Sequence, residues 1–194
     1  MIAFCLASTD HGPMLVNRLD YNHSFNGAFY GVGAQLMENG AYDPRDVDML
    51  KNLLIVRREH HGDGVVALDC GANIGVHSVE WARLMKGWGN VIAVEAQERI
   101  YYALAGNLVL QNCFNARAIW AAVGAEAGTI SFPEPDYTRQ SSFGSFELRP
   151  RAGGEFIGQP VDYGSPTATV ESITIDSLEL QRLDLLKIDI EGME

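Results

Sequence analysis

An unbroken apolar run, Val65–Leu68, meets an acid at Asp69 and then a glycine-rich turn, Gly71–Gly75. No other part of the chain limits the fold so tightly. Apolar residues return at once with helical spacing, at Val76, Val79, Trp81–Ala82 and Leu84–Met85. Strand, tight turn and helix in that order bring backbone N–H groups and a helix N-terminus against a small ligand. A phosphate gains nothing from a carboxylate at the strand's end, whereas a ligand bearing an ammonium does. Asp69 therefore predicts an amino-acid-bearing ligand.

Downstream the pattern repeats. Strand Val65–Asp69 and helix Val76–Met85 are followed by strand Val91–Glu95, a helix over about Ile100–Gln111, and strand Ala116–Val123 with Thr129–Phe132 as its expected hairpin partner. Between Pro133 and Thr169 prolines and glycines crowd together without helical period, which predicts a long loop acting as a lid. Strand Val170–Ile175, a helix-like Ser177–Leu180 and the apolar strand Leu183–Ile190 complete the set. Such alternation specifies an α/β fold with a Rossmann-like, doubly wound, mostly parallel sheet over residues 63–194.

Residues 1–62 stand apart as an N-terminal helical cap. Asp43-Pro44 opens a helix, with Asp as N-cap and Pro in the first turn, and Gly62 closes it after Arg57–Arg58; a shorter helix is expected around Val32–Glu38. The chain's last strand is followed only by Glu191–Glu194. A doubly wound sheet ending there leaves an inner strand paired on one side, which predicts a C-terminally truncated core or a homodimer covering the exposed sheet edge.

Composition excludes several functions. The net charge of −11 over 194 residues, with no basic run interleaved with aromatics, argues against nucleic acid as partner. Nothing approaches the apolar length of a membrane span, and MIAFCLAS lacks the charged start of a signal peptide. Cys5, Cys70 and Cys113 are odd in number and widely spaced, which predicts reduced thiols in a cytoplasmic protein.

Two constellations carry the chemistry. Glu95 ends a hydrophobic strand about twenty residues beyond the glycine turn, where a carboxylate accepts both ribose hydroxyls of an adenosine ligand. The turn itself reads D-C-G-A-N-I-G, with Asn73 where a dinucleotide fingerprint needs its second glycine. Asp69 and Asn73 thus suit the amino-acid end of S-adenosylmethionine (SAM) better than a diphosphate. The second constellation is LLKIDIEGME, Leu185–Glu194, where Asp189 and Glu191 alternate with buried-looking Ile188 and Ile190 at a strand's carboxyl end. Those carboxylates suit a general base toward a substrate hydroxyl, a partner for the ligand ammonium, or a cation site. Lys187 is in reach of either carboxylate and His77 of the site, but the simpler expectation for both is the surface. His60–His61 are expected as a capping pair, and Ser141, Ser142 and Ser145 lack a nucleophile elbow.

With these residues assembled, the sequence resembles the FkbM family of class I SAM-dependent methyltransferases. DCGANIG with HSVEWA, VIAVEAQ and the TIDSL…LDLLKIDIEGME ending carry the match. Asn107…Asn112, Ala121–Gly124 and Phe143–Leu148 agree as well. The resemblance implies SAM as cofactor and methyl transfer to a hydroxyl on a sugar, glycan or secondary metabolite. It implies Asp69, Gly71, Asn73 and Gly75 around the methionine end, Glu95 at the ribose, Ala96 beside the adenine, and Asp189 with Glu191 near the transferring methyl. Family members continue with a helix and further strands beyond this ending. The rival readings are an NAD-linked oxidoreductase and a non-catalytic or partner-dependent SAM-binding module.

Overall fold

Parallel strands buried on both faces read as continuous apolar runs, and the sheet is built around the two best examples. The computed structural model describes residues 2–24, 27, 29–151 and 153–193. The N-terminal region carries strands β1 (Phe4–Thr9), β2 (Gly12–Asn17), β3 (Asn22–His23) and β4 (Phe29–Tyr30), then helices α1 (Val32–Asn39) and α2 (Pro44–His61). The core continues with β5 (Val65–Cys70), α3 (Val76–Leu84), β6 (Gly89–Glu95), α4 (Glu98–Leu110) and β7 (Ala116–Trp120). It closes with β8 (Ala122–Val123), β9 (Gly128–Phe132), β10 (Ala168–Ile173), a 3-10 turn at Asp176–Leu178, and β11 (Leu185–Ile188).

The main sheet is parallel with order β11-β5-β6-β7. Its alternating side chains separate two cores. Val65, Ala67, Val91 and Ala93 pack with Leu54, Val79, Trp81, Ala82, Met85, Leu104 and Leu108 of α2, α3 and α4. Leu68, Cys70, Ile92 and Val94 pack instead with Ile173, Ile175, Leu178 and Leu180. The order also fixes where a ligand belongs. The chain winds from β5 through β6 to β7 and then returns to the other side of β5, so the topology switches between β5 and β11. Open α/β sheets bind ligands at the carboxyl ends of the strands at such a point.

Three sequence expectations change. The N-terminal region is not helical throughout, because the alternation from Phe4 to Asn17 makes an antiparallel hairpin, Phe4↔Asn17 to Thr9↔Gly12. Met14 and Val16 on β2 are fully buried against Ile74, Val76, Ile100 and Ala103, so this hairpin belongs to the core. Helices α1 and α2 fall where expected, although Asp43 caps α2 without a side-chain hydrogen bond. Second, Thr129–Phe132 does not pair with the preceding strand. β9 and β8 both flank β10, antiparallel and parallel respectively, because Ile130 and Val170 share one core with Phe132, Phe146 and Ile157. Third, the expected strand Ala116–Val123 breaks between β7 and β8, and the two halves join different sheets. At the far edge, β11 pairs with β5 and with no other described strand, and Leu186 and Ile188 are exposed.

Candidate active site

The glycine turn is shaped by backbone conformation first. Gly71 (φ +75°) and Gly75 (φ +90°) are left-handed, and so is Asn73 (φ +51°). Gly71 has to be glycine for a second reason. A Cβ there would lie 1.9 Å from the backbone oxygen of Asp189, so the turn and the end of β11 touch through bare backbone. The Gly71 and Ala72 amides both donate to the Val94 carbonyl, at 2.9 and 3.0 Å, which ties the turn to β6.

Glu95 locks the same turn from the other side. Its carboxylate accepts the Asn73 amide at 3.0 Å and the Gln97 amide at 2.8 Å. Burial pushes its carboxyl up to about 7, against the pull of those amides. The Ala96 amide also donates to it, and the two oxygens together keep capacity for a further donor. Gln97 then reaches the long loop, donating to the Phe143 carbonyl at 2.9 Å and accepting the Tyr137 hydroxyl at 3.2 Å. Asp20 holds that loop to α1 by accepting the Phe143 and Gly33 amides at 2.9 and 3.1 Å. These bonds tie the Tyr137–Phe143 part of the loop to the core.

A cavity of about 320 Å³ opens at the switch point, in the size range of small-molecule sites. Gly71, Asn73, Gly75, Glu95 and Ala96 line one part of it, with Ala121, Ala122, Phe146 and Leu148. Asp189, Glu191, Lys187 and His77 line it too, as do Tyr30, Gln35 and Tyr42 from the N-terminal region. Of the residues selected from sequence, seven therefore face one cavity. Asp69 does not.

Asp69 is fully buried beneath the turn and is already matched within the chain. The Ser78 hydroxyl donates to one carboxylate oxygen at 2.6 Å, and the Lys187 ammonium lies 3.3 Å from the other. Lys187 also reaches Asp189, at 3.2 Å. Burial disfavours its charge, but Asp69 and Asp189 together outweigh burial and hold its pKa above the ordinary lysine value. The surface position expected for Lys187 is thus corrected. β11 presents it inward while Ile188 is 43% exposed, the reverse of the expected alternation. His77 is corrected likewise, being 8% exposed and on the cavity wall. Sequence reasoning also misses Tyr30, Gln35 and Tyr42, which sit in no motif, and Gln97, which ends the VIAVEAQ motif with no role legible there. Among the described residues no group of three or more His, Cys, Asp or Glu is placed to hold a metal ion.

A switch-point cavity holding a glycine turn, a strand-end acid and a carboxylate just past β11 defines an α/β domain suited to an adenosine-type cofactor. Compared with known families, residues 69–194 match the Methyltransferase FkbM domain, and the chain belongs to that family. The cofactor of this class is S-adenosyl-L-methionine, and the residues present fit it, because buried Glu95 and the glycine turn line the same cavity. No curated protein matches the chain. Solved structures with partial likeness include a precorrin-6y C5,15-methyltransferase from Geobacter metallireducens GS-15, at 22% identity over 40% of this chain and 38% of that one, with a TM-score of 0.34. A SAM-dependent methyltransferase from Agrobacterium tumefaciens has 18% identity over 63% of this chain and 33% of its own, with a TM-score of 0.42. Trm5b from Pyrococcus abyssi has 15% identity over 64% and 31%, with a TM-score of 0.39. The chain matches well under half the length of each of these three structures.

Proposed function

We propose that this chain transfers the methyl group of SAM to a hydroxyl oxygen, on a sugar, a glycan or a secondary metabolite. One observation supports the reading above the rest. A single cavity contains both the adenosine-suited Glu95 and a polar cluster of His77, Lys187, Asp189 and Glu191.

When bound, the sulfonium of SAM supplies a methyl already activated toward attack. The protein's task is then to align the acceptor and exclude water. Glu95 accepts the ribose hydroxyls while its backbone donors Asn73, Ala96 and Gln97 keep it fixed. Ala96 and Ala121–Ala122 leave a flat apolar slot for the adenine. Asp69 acts indirectly, by holding the Lys187 ammonium. A ligand ammonium meets Asp189 and Glu191 on the wall instead. Tyr30, Gln35 and Tyr42 offer aromatic and amide surfaces suited to a neutral polyol, and a base beside Asp189 takes the hydroxyl proton as the oxygen attacks.

Calorimetric titration with SAM and S-adenosylhomocysteine tests the cofactor half. The expected result is micromolar binding of both, no binding of NAD, and at least a tenfold loss in Glu95→Ala through the missing ribose contact. NAD binding, or full SAM affinity in Glu95→Ala, would sink the reading.

A further inference from the structure

The chain's two buried histidines are used very differently. His11 is satisfied on both ring nitrogens, with Nδ1 3.2 Å from Glu80 Oε1 and Nε2 accepting the Tyr42 amide at 3.3 Å. It is a structural residue. His77 is as deeply placed, at 8% exposure, yet its Nδ1 is buried without a hydrogen-bond partner. Leaving a polar atom in that state costs about 1–3 kcal/mol, so such an atom in a cavity wall marks a place where a ligand completes the bonding. Its ring is not free to wander. Trp81 packs against it at 5.8 Å between centroids, and Tyr42 meets it edge-on at 6.2 Å.

The neighbouring carboxylate is a poor alternative as base. Asp189 already has the Lys187 ammonium as a partner 3.2 Å away, so its carboxylate is engaged within the chain. It is suited to accepting a hydrogen bond and orienting a hydroxyl. Resting on the reading above of methyl transfer to a hydroxyl, we infer that His77 is the general base that removes the acceptor's proton. The acceptor O–H proton passes to an imidazole nitrogen as the oxygen bonds to the methyl carbon. The carbon–sulfur electron pair stays on sulfur, leaving neutral S-adenosylhomocysteine, a methyl ether and an imidazolium that returns its proton to water.

The charges around His77 agree with that task. Burial is the largest influence and lowers its pKa below 6.5; Lys187 on β11 lowers it further, while Asp69 on β5, Asp189 after β11 and Asp46 on α2 oppose it. Tyr42, the other titratable group against the ring, stays neutral because burial raises its pKa. His77 is therefore unprotonated at pH 7 and ready to accept.

Two measurements test this on the whole chain, with His77→Gln as the comparison. The first is the imidazole C–H NMR titration in the S-adenosylhomocysteine complex, the His77 signal being the one lost in the variant. The expected pKa lies below 6.5; protonation at pH 7 would overturn the assignment. The second is methyl transfer from radiolabelled SAM, kept saturating at every pH, to methyl α-D-glucopyranoside, methyl α-L-rhamnopyranoside and glycerol across pH 5–9. Wild type should show an acid limb at the NMR pKa. His77→Gln should bind SAM normally, fall about 10²- to 10⁴-fold in rate, and lose that limb. A variant that keeps rate and limb overturns His77 alone. A wild type that binds SAM yet methylates none of the three overturns the hydroxyl reading, and the base role with it.

Discussion

Glu95 is the residue whose environment makes the sharpest demand. A carboxyl raised from 4.5 to about 7 keeps a proton in the folded chain that the unfolded chain has released. Its contribution to stability is thus present below pH 4.5 and is lost as pH rises to about 7, the opposite of a salt-bridged acid. The span corresponds to about 3 kcal/mol. Urea unfolding at pH 5 and pH 7.5 should show that fall in wild type and a flatter dependence in Glu95→Gln. Asp20, raised to about 6 by burial, adds a slope of the same sign to both and so cancels from the comparison. Ribose hydroxyls donate to the ionised form, so SAM affinity should weaken about tenfold for each pH unit below 7. Equal affinity at pH 5.5 and 7.5 would refute this. The acid itself is readable from sequence, since a strand-end carboxylate at that spacing has few other uses. The partner of Asp69 is not, because it comes from a strand over a hundred residues away. His77 and Lys187 are legible only as options for the same reason: single polar residues on a helix and a strand look solvent-facing until a distant element covers them.

At the scale of elements, the glycine turn is held by how closely β5 and β11 approach. Gly71→Ala combines a left-handed backbone, which costs about 1–2 kcal/mol, with a Cβ set 1.9 Å from the Asp189 oxygen. The collision can be relieved only by moving the end of β11 away from the turn. Gly87 gives the matched control, being left-handed at φ +86° with open space for 4 Å around the point where a methyl would stand. Gly71→Ala should lose SAM binding and several degrees more in melting temperature than Gly87→Ala, by calorimetry and thermal scans. Similar shifts in the two variants would mean that the strand-end contact does not matter. The parallel core is legible because β5 and β6 carry their burial in their own composition. The pairing of β9 with β10 is not. A loop of more than thirty residues separates them, and local pattern cannot choose between two antiparallel partners of equal apolarity.

Across the whole molecule, Asn107 joins what the sequence presents as separate parts. This fully buried side chain on α4 accepts the Leu15 amide at 2.6 Å and donates to the carbonyls of Leu15 at 3.1 Å and Ile74 at 2.8 Å. One amide thus binds the N-terminal hairpin to a core helix and to the residue that follows Asn73 in the cofactor turn. Its position in the Asn107…Asn112 spacing is visible in the sequence, but nothing local indicates that its partners lie 92 and 33 residues away. The hairpin consequently supports the site as well as covering the core. Asn107→Ala would leave three backbone groups without partners, at about 1–3 kcal/mol each and less than additively. Chemical unfolding should record a loss of about 3–6 kcal/mol in a single transition, with SAM affinity falling together with stability because Ile74 loses its anchor. A loss below about 1 kcal/mol with unchanged affinity would show that apolar packing of Met14 and Val16 alone seats the hairpin, and that the cofactor turn keeps its shape without it.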